Sequence, residues 1–206
     1  MKLRSESSRV LARRIKIFVV LGALLMALSK LLYLGGVTYP NFELVIPALV
    51  VIGSFSLPLG SGRFGRWLTR YFGLVALVTV IVIDLAFWGP LPIYIFTWSG
   101  LALCWFIGLR NRLSPFDRTS KLLGRTMLTG AVAIIAFDVW TGLFGHSLTT
   151  GMSLWAAFLG QIPFTLYHLS SLIFIPPMVG LGKALVRVRV PVSVAVKTSV
   201  KSSQWR

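Results

Sequence analysis

Along this chain, long apolar runs alternate with short stretches that hold nearly all of the charge, and each run is close to the length that crosses a bilayer. A spanning helix needs about 20 mostly apolar residues. Six segments come near that length, at 17–34, 42–59, 71–88, 93–109, 123–144 and 162–181. Their ends carry stop signals. Gly35, Gly36 and Pro40 follow the first, a glycine-rich turn with Arg63 and Arg66 follows the second, and Gly89, Pro90 and Pro92 break the third. Arg110 and Arg112 close the fourth. A Gly and Thr loop at 145–153 and an interfacial piece near 154–159 precede the sixth, whose Pro176 and Pro177 should kink it or end regular bonding one turn early. The expected fold class is an all-α integral membrane protein, a bundle of six transmembrane helices. A basic head occupies 1–16, the membrane domain 17–185 and a basic tail 186–206.

Composition agrees with the pattern. The 206 residues are 56% hydrophobic, with a mean hydropathy of +0.82, too apolar for a water-soluble domain. The formal charge of +16, from 21 Lys and Arg against five acids, would suggest nucleic acid in a soluble protein, but its placement argues against that partner. Basic residues gather at 2–16, 63–70, 110–125 and 183–206, while the loops near 35–41, 89–93 and 145–153 have none. By the positive-inside rule the bare loops face outward and both termini are cytoplasmic, as for a multi-pass protein of the plasma membrane. Lys30, in the outer part of the first helix, is the exception. The alternation of Val with basic and polar residues at 186–200 suits a flexible arm on the anionic cytoplasmic leaflet, so membrane lipid is an expected partner. The first apolar run follows a basic head but lacks a small-x-small cleavage site, which makes it a retained helix. The lone Cys104 excludes an internal disulfide and reads as a packing residue.

The acids are the sharpest chemical clue, because an ionisable group at membrane depth is costly. Glu43 opens the second helix, and Asp84 and Asp138 are expected in the outer thirds of the third and fifth, one to two turns below the surface. Lys30 and His168 belong to the same outer half, and all could converge on one cavity. The packing reading stands beside this one: Asp84 or Asp138 pairs with Lys30, His168 makes an interhelical hydrogen bond, and His146 is a solvated loop residue. Trp88, Trp98, Trp140, Trp155, Tyr94 and Tyr167 form an aromatic belt, within which Trp98 and Tyr167 are deep enough to stack on a planar ligand. Helices three and five share a further pattern, Ile83-Asp84 and Phe137-Asp138, each followed by an aromatic-Thr segment (Phe96-Thr97 and Phe164-Thr165). This pattern suggests a weak parallel repeat of a helical hairpin.

Catalytic signatures are poor: the chain has no Gly-x-Ser-x-Gly elbow, His-Glu-x-x-His, P-loop or Gly-x-Gly-x-x-Gly. Ser170 and Ser171 beside His168 are weak candidates for a nucleophile, since hydroxyl residues commonly line helix contacts in lipid. The spacing of histidines and acids favours no metal site, and no cofactor is expected. In helix one, Ala23 and Ala27 form an Ala-x-x-x-Ala step that lets another helix approach closely.

Taken together, these features resemble the substrate-binding S component of energy-coupling factor (ECF) transporters for vitamins and other micronutrients. Ala23 and Ala27 match the family's step on the first helix. The segment from Trp98 to Gly108 is similar to its fourth helix, and Asp138-Val-Trp140 with the run from Gly160 to Ser171 is similar to its fifth and sixth. Ser171 departs from the Asn that relatives often carry there, which leaves any ligand contact at that position in doubt. The resemblance implies a vitamin-like small molecule bound from outside, in the outer halves of helices four to six under the first outer loop. It also implies a transmembrane coupling subunit docked on Ala23 and Ala27, and two ATPase subunits that hydrolyse ATP, since the chain has no nucleotide site. The implied ligand residues are Trp98, Asp138, Trp140, Gln161, Tyr167 and His168, with Asp84 and Glu43 in the same outer half. Two other readings stay open: a membrane enzyme at the outer leaflet with Asp84, Asp138 and His168 in acid or base roles, and a non-catalytic assembly protein whose polar groups only join helices.

Overall fold

A computed structural model describes residues 10, 13–14, 16–25, 27–28, 31, 44–55, 74–111 and 117–186. The expectations for the head, Lys30, the first outer loop, Glu43, the 60–70 turn and the tail lie outside the described residues. The described elements are all helical, and each of the six apolar runs contains one. They are α1 (Lys16–Leu25), α2 (Val45–Phe55), α3 (Leu74–Trp88), α4 (Tyr94–Asn111), α5 (Thr119–Thr150) and α6 (Leu154–Ala184).

Helix α2 is apolar on every side, and its 11 residues are all buried, which puts it at the centre of the bundle. It crosses α4 at two glycines. A Cβ on Gly108 would lie 2.9 Å from the Val50 Cα, and one on Gly53 would lie 2.9 Å from the Leu109 nitrogen. Small residues of this kind let helix backbones touch where no hydrophobic effect drives association.

Two matched turns join α3 to α4 and α5 to α6. Gly89 ends α3 at φ +66° with its N–H on the Leu85 carbonyl at 3.2 Å, and Gly151 ends α5 at φ +73° with its N–H on Ser147 at 3.0 Å. Both are left-handed caps that other residues adopt only with strain. Ser153 then caps α6, its hydroxyl accepting from the Ala156 N–H at 3.3 Å.

Helices five and six differ from the expected bounds. The segment at 145–153, expected as a loop, is helical to Thr150, and the piece at 154–159 is the first part of α6 itself. Gly145 is not a breaker: it sits in the helix where a Cβ would come within 2.8 Å of Phe96, so its role is close approach. The extension also alters a depth. Asp138 lies twelve residues before the last residue of α5, well beyond the one to two turns expected, whereas Asp84 lies four residues before the end of α3. Pro176 and Pro177 have the expected local effect. Their missing N–H groups follow a 3-10 turn at Ser171–Phe174 that interrupts α-helical bonding.

Helices α5 and α6 are long and apolar enough to cross a membrane. Only 28% of the most apolar stretch of each is buried, whereas the core helix of a water-soluble protein is mostly buried. Leu128, Val132, Leu148, Trp155, Leu166 and Ile173 all point outward, as side chains do when the solvent is hydrocarbon. The described basic residues gather at the opposite end from the Gly89 and Gly151 turns. Lys183 donates to the Asp117 carbonyl at 2.8 Å and Arg125 to that of Asn111 at 3.1 Å. Gly182 packs on Phe18, two residues past Lys16.

Candidate functional site

The polar side chains of the outer hairpins meet in pairs. In the α3–α4 hairpin the Trp98 indole donates to Asp84 Oδ2 at 3.1 Å, and the same indole stacks on Tyr94 with ring centroids 5.1 Å apart. Asp84 is buried and Trp98 half-buried. One face of Trp98, expected to stack on a ligand, is thus taken by Tyr94. Trp140 is exposed and reaches α4, donating to the Ser99 hydroxyl at 2.8 Å, and Thr141 donates to the Phe96 carbonyl at 3.3 Å.

In the α5–α6 hairpin, His168 Nδ1 lies 2.6 Å from Asp138 Oδ1, with the two side chains 1% and 2% exposed. The carboxylate fixes the ring by one nitrogen and so sets its tautomer, the arrangement by which proteins orient a histidine for proton transfer or ligand contact. Phe164 packs edge-on against the imidazole at 4.3 Å, and Phe137 and Tyr167 stand 6.2 and 6.5 Å away. The pair excludes water by this aromatic wall. A polar pair so buried depends on the geometry of both helices.

Asp138 is also the first residue of an eight-residue π-helical segment, Asp138–Gly145, inside α5. Such segments are rare and concentrate at functional sites. Within it Gly142 receives the amide of half-buried Gln161, which occupies the space a Cβ would need. Stacked along the α5–α6 seam are therefore two contacts, Asp138 with His168 and Gly142 with Gln161.

The remaining expected residues are placed as follows. Tyr167 is half-buried beside His168, and His146 is exposed. Ser170 and Ser171 donate to the carbonyls of Tyr167 and His168, each at 2.6 Å, so both hydroxyls cap the helix where it turns 3-10. Ala23 is buried at 7% in the chain's own core and Ala27 is half-buried, while Leu24 and Leu28 face outward. The Ala23 side of helix one is turned toward this bundle. Cys104 donates to the Ala133 carbonyl at 3.4 Å. Among the described residues no three His, Cys, Asp or Glu side chains group as a metal site.

Sequence reasoning did not single out Ser99, Thr141, Phe137 and Phe164 as site residues; its pairing of Asp84 or Asp138 with Lys30 lies outside the described residues, and it did not foresee Trp98 as a partner of Asp84 or His168 as the partner of Asp138. The signal was partly present. Positions 161, 165 and 168 fall on one helical face, and so do 138 and 142, but the register between the two helices depends on where α5 ends. A scan against protein families and searches of curated proteins and of solved structures found no match to this chain.

Proposed function

We propose that this protein is the substrate-binding membrane subunit of an importer for a vitamin-like small molecule, of the ECF type. It would span the plasma membrane six times with both termini in the cytoplasm, and work with a transmembrane coupling subunit and ATPase subunits. The observation that carries this reading is the division of the bundle. Described basic residues lie at one end, the outer walls are apolar, and Asp84, Asp138, Gln161 and His168 are held away from that end, inside helices α3, α5 and α6. Polar groups at membrane depth are costly and mark substrate paths far more often than they serve packing alone. In this reading Asp138, Trp140, Gln161, Tyr167 and His168 orient the ligand, with Asp84 and Trp98 on the neighbouring hairpin and Glu43 as a further candidate contact. If helix one docks the coupling subunit, its outward residues Leu24 and Leu28 make that contact beside Ala27, with Ala23 supporting them from within.

The test is native mass spectrometry of the full chain purified in mild detergent. A reproducible small-molecule adduct is expected, diminished in His168→Ala and Trp98→Ala variants that retain helicity. Purified protein that carries no adduct, and gains none from cell extract, overturns the importer reading. The Asp138–His168 geometry favours a second reading, an enzyme in which the carboxylate orients His168 as a general base. Turnover of the adduct by wild type but not by Asp138→Asn would select it.

A further inference from the structure

On the outer side of the α5–α6 seam lies a groove of about 230 Å³, lined by Ile135, Val139 and Leu143 from α5 and by Phe158, Gln161 and Thr165 from α6. Its wall is almost wholly hydrocarbon, and Gln161 is its polar corner. That same Gln161 amide rests on Gly142 within the seam. Val139 follows Asp138, and Thr165 precedes His168 by three residues, so the groove runs alongside the buried pair.

Asp138 has one oxygen committed to His168. Among the described residues, its other oxygen, Oδ2, is buried without a hydrogen-bond partner. A buried acceptor of this kind is costly until a donor reaches it, the more so when it is charged. Four residues on from Asp138, Gly142 carries the Gln161 amide, whose carbonyl oxygen is a second acceptor on the seam. No Lys or Arg lines the groove, and the described basic residues are at the far end of the bundle. The site therefore offers hydrogen-bond acceptors beside an apolar wall, with no Lys or Arg to fill them.

We propose that the α5–α6 seam binds an amphipathic cation, with a protonated amine donating to Asp138 Oδ2 and to the Gln161 carbonyl, and with its apolar body lying in the groove. This names the ligand class of the importer proposed above and rests on that reading. The π segment has a part in it, because Gly142, four residues from Asp138, leaves the space that the Gln161 amide occupies. Carboxylates and phosphates of the same size are refused by the same two acceptors.

The probe is a series of n-alkylamines from butylamine to decylamine, with alkanols and alkanoates of equal length as controls, added to the full chain in detergent. Thermal unfolding is followed by tryptophan fluorescence. Amines are expected to raise the midpoint more as the chain lengthens, and alkanols and alkanoates much less. Asp138→Asn keeps an acceptor for His168 and should weaken amine binding roughly ten- to a hundredfold, the range for losing a charge-assisted hydrogen bond. Gln161→Leu, which leaves the pair untouched, should weaken it less. Val139→Trp fills the groove and should flatten the chain-length dependence.

Equal protection by amines and alkanoates, protection by none, or a chain-length effect that survives Val139→Trp each overturns the proposal. The importer reading fails separately. A co-purifying adduct that proves anionic sinks the cation and leaves the importer standing, whereas the absence of any adduct removes the importer first.

Discussion

The α3–α4 and α5–α6 hairpins are built to one plan and differ in depth. Each has an aspartate on its first helix, a left-handed glycine at its turn, and an aromatic N–H group on its second helix facing the aspartate. In the first hairpin Asp84 lies five residues before Gly89, and in the second Asp138 lies thirteen residues before Gly151. Eight further helical residues correspond to about 12 Å at 1.5 Å per residue. That shift changes the chemistry. The shallower aspartate meets a neutral indole that is half-buried, while the deeper one meets an imidazole sealed by Phe137, Phe164 and Tyr167. A repeated hairpin becomes a strut in one copy and a candidate binding seam in the other.

The largest expected effect follows from that contrast. Asp138→Ala leaves His168 sealed with its carboxylate gone, and should cost about 3–5 kcal/mol, the range for breaking a buried pair from one side. Asp84→Ala removes the Trp98 hydrogen bond near a helix end and should cost about 1–2 kcal/mol. Both are read from denaturant titration in mixed micelles. Equal losses would break the comparison. In Asp138→Leu with His168→Leu, two apolar groups replace the pair, and most of the loss should return.

Next in size is Gly108→Ala. Its new methyl would press on the Val50 backbone where α2 crosses α4, and a backbone does not step aside. A loss of about 1–3 kcal/mol is expected, as for overpacking a tight core. Wild-type stability in this variant would mean that the α2 and α4 backbones do not touch at this crossing.

Helix existence was far more legible in the sequence than helix ends. The Gly89-Pro90 stop fixed the end of α3 because proline removes a donor and glycine takes the left-handed cap. Gly145 carried the same letter with another meaning. In α5 it is a contact glycine beneath Phe96, and nothing local distinguishes that use from a loop. Reading it as a loop set Asp138 too shallow. The pairing of Asp138 with His168 was illegible for the same reason: thirty residues separate them, and which residue of α6 faces which residue of α5 is decided by the turn at Gly151. The charge pattern was the most informative signal, because the described basic residues all lie at one end whatever the register.

A smaller effect separates hydrogen bonding from stacking in the shallow hairpin. Trp98→Phe keeps a ring against Tyr94 but removes the indole N–H from Asp84, and a loss of about 1 kcal/mol is expected in the same titration. Trp98→Leu, which removes both, should cost more. If the two variants are equally destabilised, the stack contributes nothing and the hairpin is held by the hydrogen bond alone.

The smallest effect on stability should be the most informative about the deep hairpin. Gly142→Ala places a methyl where the Gln161 amide now rests. Unlike the Val50 backbone at the α2–α4 crossing, that amide is the far end of a flexible side chain, and it can swing into the groove it already lines. The helical preference of Ala over Gly, about 1 kcal/mol, further offsets the displacement. Net stability should stay within about 1 kcal/mol of wild type, while adduct retention in native mass spectrometry should fall, because Gln161 loses its place on Gly142. Gly142→Ala combined with Gln161→Ala should be no weaker in retention than Gly142→Ala alone, since both disable one group. A variant that instead loses as much stability as Gly108→Ala would show the seam to be as rigid as the crossing, and its polar contacts would then be explained by packing.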